Sequence, residues 1–182
     1  MKNVFLKLVA SATLLVASAS TFAISTDQPI TGAIDFTGVS STTVDNGVVT
    51  AIDFLRATIN AADNGKMLIV NKTETFANEV TRNKAQFFDL DSSTGSLWTV
   101  NADDLLWEVD GFTFAITKIA ANGLIGRRNN TAEVIAVGTI AKAGFVTTAA
   151  EFSYTSQLVS DNGTVEHSFS ASTVPAPATI AL

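Results

Sequence analysis

Four Asn-Gly pairs, at Asn46-Gly47, Asn64-Gly65, Asn122-Gly123 and Asn162-Gly163, punctuate a 182-residue chain whose intervening runs are rich in Val, Ile, Thr and Phe. Asn and Gly tolerate the positive φ that a two-residue hairpin turn demands, so each pair marks a place where an extended chain can double back antiparallel. The runs between them alternate with period two. The clearest is Phe112-Thr113-Phe114-Ala115-Ile116-Thr117, in which every second side chain points to the same side of a strand. Val165 to Ala171 has the same phase.

Further strands are expected over Ile30 to Val39, Val48 to Ile59, Lys66 to Asn71, Gln86 to Leu90, Leu97 to Val100, Leu105 to Val109, Glu133 to Ile140 and Glu151 to Leu158. The sum predicts an all-β fold, an antiparallel β-sandwich or flattened barrel of roughly ten short strands. Phe112, Phe114, Ile116, Val165 and Phe169 are expected to face its core. Glu74 to Lys84 is polar nearly all round and reads as a loop or one frayed turn. Ala121-Asn122-Gly123 reads as a turn like the other three.

Both ends fall outside this pattern. Lys2 and Lys7, the apolar stretch Leu8 to Ala17 and the small residues after it make residues 1–23 a secretory signal peptide. Cleavage after Ala23 is favoured over cleavage after Ala19, and the apolar run is well short of the roughly 20 residues that span a bilayer. Residues 24–171 then form a single β domain. Residues 172–182, with Pro175 and Pro177 among small residues, read as an extended tail. The chain has no cysteine, which excludes thiolate metal sites and Cys nucleophiles; a domain of this length can bury a sufficient core without disulfides. Eleven basic residues face seventeen acidic ones. Loss of Lys2 and Lys7 with the leader takes the net charge from −6 to −8, and such a surface repels phosphate backbones, so no nucleic acid partner is expected.

Chemistry-bearing groups are sparse. His167 is the only histidine. Its neighbours Glu166 and Ser168 point to the opposite face of a strand, so the three cannot converge as a triad. One imidazole and no thiol also leave zinc and copper without enough ligands. Asp89-Leu90-Asp91-Ser92-Ser93-Thr94-Gly95 superficially has calcium-loop spacing, but Thr94 stands where Gly is needed and Val100 where Glu is needed. Asp103 and Asp104 begin a second acidic group, so Asp89, Asp91, Asp103 and Asp104 are weak calcium candidates only. Trp98, Trp107 and Tyr154 have the chemistry to stack on sugars, yet Trp98 alternates with Val100, and Trp107 with Leu105 and Val109, as buried aromatics do. No nucleophile elbow or phosphate-cradling loop occurs. No catalytic residue and no cofactor is assigned, and the ligand-binding residues stay unknown.

The order of several short motifs carries a resemblance. Leu97-Trp98, then Gly111-Phe112-Thr113-Phe114-Ala115-Ile116, then Val137-Gly138-Thr139-Ile140 with Gly144-Phe145, then Phe152-Ser153-Tyr154-Thr155-Ser156-Gln157, then Phe169-Ser170-Ala171-Ser172 precede Val174-Pro175-Ala176-Pro177-Ala178-Thr179. The final six resemble the opening of the PEP-CTERM sorting motif, with Ala176 in the place of the Glu of the family name. The body resembles one recurrent among secreted proteins that carry it, over about half of the chain. The resemblance implies export from a Gram-negative bacterium to the cell envelope or the medium, by the export machinery, and association with extracellular polysaccharide without an assigned activity. Recognition by the exosortase would further need an apolar helix and an arginine cluster after Thr179, which the sequence does not contain. Two function classes are expected to compete. One is a non-enzymatic, glycan-contacting cell-surface or exopolysaccharide-matrix protein; the other is a secreted polysaccharide hydrolase working through a carboxylate pair.

From the tail reading, the exported product should partition with the soluble fraction. A membrane helix and arginine cluster grafted after Leu182 should retain it at the envelope. Cell fractionation checks both, and the unaltered chain stably embedded in membrane would refute the reading.

Overall fold

The computed structural model describes residues 28–58, 65–91, 104–126, 130–157 and 163–175. The strands are β1 (Gln28–Pro29), β2 (Ile34–Asp45), β3 (Val48–Arg56), β4 (Lys66–Lys72), β5 (Lys84–Phe87), β6 (Leu90–Asp91), β7 (Asp104–Val109), β8 (Phe112–Ile125), β9 (Thr131–Ala141), β10 (Phe145–Val146), β11 (Thr148–Gln157) and β12 (Gly163–Pro175). Among the described residues one helix, α1, spans Glu74–Glu79. Eight strands close on themselves in the order β2-β4-β5-β7-β8-β9-β11-β12, with β12 returning to β2. All these pairings are antiparallel. The expected all-β fold is thus a closed barrel. Its longest strands are not short: β2, β8, β9 and β12 have 12, 14, 11 and 13 residues.

Local chemistry explains the turns. Asn46 and Gly47, at φ 51 and 77, make the two-residue connection of β2 to β3 that the sequence anticipates. Asp110 and Gly111, at φ 47 and 81, make an equivalent one between β7 and β8. Asn122-Gly123 behaves differently. Instead of turning, it lies inside β8, still paired to β9 through Asn122↔Val134 and Gly123↔Glu133. Two register shifts, between Ile116 and Lys118 and between Ile119 and Ala121, bend β8 there. The Asn122 carboxamide then performs the work of a missing strand: its Oδ1 accepts from the Val49 N–H at 3.0 Å and its Nδ2 donates to the Val49 carbonyl at 2.7 Å. A side-chain amide carries the same donor and acceptor as a peptide, so Asn122 bridges β8 to β3.

That bridge is needed because the wall forks. β2 pairs with β4 over Ile34–Thr37 and with β3 over Val39–Asp45. Gly38 sits at the fork, where a Cβ would stand 2.4 Å from the Met67 sulfur and 2.8 Å from the Arg56 carbonyl oxygen. Gly138 plays a similar part opposite the β8 bulge, since a Cβ would come within 2.1 Å of the Ala115 oxygen.

Period-two burial sends Phe112, Phe114, Ile116 and Phe169 inward as expected. Val165 and His167 lie on β12, with His167 opposite Ser40, but their side chains are outside the described residues. The interior is filled by rings. Phe87 stands between Phe36 (4.9 Å between centroids), Phe54 (4.8 Å), Phe152 (6.3 Å) and Phe169 (6.4 Å). Trp107 and Phe114 stack at 6.1 Å beside them. An eight-stranded barrel is just wide enough for its side chains to fill it.

Two further expectations are corrected. Glu74–Glu79 is helical, because its single large apolar residue, Phe76, is fully buried and packs 5.0 Å from Phe112; one ring is enough to dock a short helix on the barrel. Lys142 holds it there, bonding Glu79 at 2.9 Å with its ammonium 4.3 Å above the Phe112 ring. The domain also does not stop at Ala171. β12 continues through Pro175, paired to β11 up to Ala150↔Pro175, and Thr173 is buried where it accepts from the Trp107 indole N–H at 3.0 Å. Its small polar residues suit a wall strand whose alternate side chains face inward.

Replacing Asn122 with Ala should remove the two bonds that its carboxamide makes to Val49 and cost about 1–3 kcal/mol. Urea unfolding checks it, and a change below about 0.5 kcal/mol would show that the β3–β8 seam is held by other means.

Candidate functional site

Among the described residues, aromatic side chains pack the barrel lumen. Three of its polar groups serve one another: the Tyr154 hydroxyl bonds Ser40 Oγ at 2.8 Å and Thr42 Oγ1 at 2.7 Å. Burial pushes the Tyr154 phenol above its ordinary range, opposed by its hydroxyl partners, so it stays neutral.

The calcium candidates divide. Asp89 and Asp91 flank Leu90 of β6, beside β3, with Ala51 opposite Asp91. Asp89 accepts the Phe54 N–H at 2.7 Å. Sequence reading missed a third carboxylate there, Asp53, whose acidity is weakened first by partial burial and then by repulsion from Asp89 and Asp91. Asp103 is outside the described residues. Asp104 pairs with Ile116 at the start of β7, and its side chain is likewise outside them. Among the described residues, no three His, Asp or Glu side chains are grouped closely enough to hold a metal ion. Of the three aromatics weighed for sugar stacking, Trp107 and Tyr154 are fully buried and Trp98 is outside the described residues. Of the sorting motif, Val174 and Pro175 end β12, with Val174 about half exposed; Ala176, Pro177, Ala178, Thr179 and the cleavage position Ala23 lie outside the described residues.

Of the concave sites that the described residues form, the one richest in charged side chains is on the outer wall, over β4, β5, β7 and β8. It holds about 350 Å³ and is lined by Lys66, Arg82, Lys84, Gln86, Glu108, Asp110 and Thr113, with backbone from the β7–β8 turn. Register builds its floor: Lys66 is opposite Gln86, Gln86 opposite Glu108 and Glu108 opposite Thr113. The result is one polar row across four adjacent strands, with neighbours close enough to interact.

Asp110 builds one side. Its Oδ2 accepts the backbone N–H groups of Thr81 at 2.7 Å and Arg82 at 2.9 Å and the Thr81 hydroxyl at 3.1 Å, while its Oδ1 meets Arg82 Nε at 3.1 Å. These bonds, that from the Arg82 N–H foremost, hold its carboxyl below the ordinary aspartate range. Asp110 is therefore a fixed anion that positions Arg82, and it makes a poor proton donor. No family model, curated protein or solved structure matches this chain. The pocket's chemistry must therefore be read from its residues alone: three cations, one engaged carboxylate, one exposed carboxylate, an amide and a hydroxyl.

Sequence reading did not find this site. Lys66, Arg82 and Lys84 are ordinary strand and loop residues in the sequence, and only the register unites them with Glu108 and Asp110. The available signal was the Asp110-Gly111 pair, which has the composition of a tight turn.

Because the folded Asp110 releases its proton more readily than the unfolded one, its stabilisation is complete above the unfolded pKa and is lost as pH falls through the lower folded value. The Thr81 and Arg82 amide resonances should report that transition below the ordinary aspartate range and lose it in Asp110→Asn. A midpoint at or above that range would overturn the clamp.

Proposed function

We propose that the protein is an exported, non-enzymatic component of a bacterial cell surface or exopolysaccharide matrix that contacts glycan through the outside of its barrel. The observation that carries this reading is the filled lumen: with rings from Phe36 to Phe169 occupying the interior, recognition falls to the wall, where the pocket over β4, β5, β7 and β8 offers a donor–acceptor row suited to a polyol. The motif order that ends in Val174-Pro175-Ala176-Pro177-Ala178-Thr179 supports the compartment.

The competing hydrolase needs a protonated acid facing a base or nucleophile. Glu108 and Asp110 are the two carboxylates of the pocket, and Asp110, with both oxygens engaged by four donors and its pKa lowered, is a poor proton donor and a weak base or nucleophile. This favours binding over cleavage. Since Trp107 and Tyr154 are buried, contact is made by polar side chains, with stacking on those two rings ruled out by position.

The test is a pull-down of the purified protein on the producing strain's own exopolysaccharide, with and without a chelator, beside a reducing-end assay. Retention without new sugar ends is expected. Release of ends, abolished by replacing one Asp or Glu, would establish the hydrolase instead.

A further inference from the structure

We infer that the pocket over β4, β5, β7 and β8 is a binding site for acidic saccharides, with Lys66, Arg82 and Lys84 meeting the carboxylate and Gln86, Glu108 and Thr113 meeting the hydroxyls. The inference deepens the matrix reading and rests on it only for where such a ligand is met.

Charge placement is the first argument. The chain is acidic overall, at −6, yet three of its eleven basic residues line this one pocket against two acids. One of those acids, Asp110, is consumed by Thr81 and Arg82. Its clamp leaves the Arg82 side chain largely exposed at 74%, while fixing the backbone from which it reaches. Lys66 and Lys84 already take part in interactions within the fold. An ammonium carries three donors, so an incoming carboxylate is an additional partner for each.

Glu108 supplies the second argument. A site for a bare anion would exclude an exposed carboxylate from its floor, because like charges in a concave site repel. Glu108 nevertheless stands in the row between Gln86 and Thr113, each directly opposite it on a neighbouring strand. A ligand that suits both features brings negative charge and hydroxyl donors together. A sugar acid does this: its carboxylate meets the cations, its hydroxyls donate to Glu108, and Gln86 and Thr113 both donate and accept. DNA brings phosphate charge without hydroxyl donors for Glu108, and the acidic remainder of the surface opposes it.

The test titrates the purified chain with a short oligogalacturonate, a neutral glucose oligomer of the same length and inorganic sulfate, following the Gly111 and Thr113 amides by NMR. The oligogalacturonate should shift these amides, weaken with added salt, and bind about tenfold less tightly in Arg82→Gln and in Lys84→Gln, the size of one charge-assisted hydrogen bond. Glu108→Gln should weaken the oligogalacturonate while leaving or improving sulfate. Lys118→Gln, on β8 outside the pocket, should change nothing, and a dispersed spectrum confirms that each variant is folded. Equal binding of the glucose oligomer would overturn the inference, as would sulfate shifts matching those of the saccharide or unchanged affinity in the Arg82 and Lys84 variants. If those variants still bind the native exopolysaccharide as the parent does, the pocket fails and the matrix reading stands. If the parent binds oligogalacturonate but not that exopolysaccharide, the pocket stands and the matrix reading fails.

Discussion

Closure of the sheet is the constraint from which the other features follow. Once β12 returns to β2, every inward side chain must share one narrow interior, and the packing there has to be settled ring against ring. Phe87 is the centre of that packing, with Phe36, Phe54, Phe152 and Phe169 around it. The rings come from β2, β3, β5, β11 and β12, so the hub ties together strands far apart in the sequence. Aromatic pairs add about 0.5–1.5 kcal/mol beyond their burial, which makes this cluster a large part of what selects one register. Gly38 and Gly138 are the complement: where the wall forks or bends, no Cβ fits.

Ser40, Thr42 and Thr173, three of the buried polar residues, are paired by the same logic. Trp107 donates to Thr173, and Tyr154 shares its hydroxyl with Ser40 and Thr42. Each hydroxyl lies on an inward position of its strand, where a buried polar atom without a partner would cost about 1–3 kcal/mol. These bonds also join β7 to β12 and β11 to β2. The interior polar pairs thus repeat the closure that the backbone ladder makes.

Alternation made the wall legible before any coordinates. Phe112, Phe114 and Ile116 could face one way only, and Asn46-Gly47 could do little but turn. The sequence was misleading where tertiary context overrode local chemistry. Asn122-Gly123 has turn composition, but its carboxamide is used to replace a missing strand beside Val49. Glu74–Glu79 looked too polar to fold, since its amphipathic face consists of Phe76 alone. Ser172 to Pro175 looked like tail because small residues and a proline are common to tails and to the last turns of a tightly packed strand. The pocket was the least legible feature. Its floor exists through register, and register depends on bulges such as that between Leu105 and Trp107, which no single-strand pattern announces.

The closing seam also sets an order of events. Asp35 pairs with Ser172, and Ile34 with Thr173, so the first strand of the barrel waits for the last described one. Ring closure over such a separation is slow because the loop entropy must be met before the contacts reward it. A chain that emerges from its N-terminus holds β2 with one flank open until β12 is made. The barrel therefore completes only once β12 is free to pair with β2, and until then the inward rings of β2 lack one of their walls.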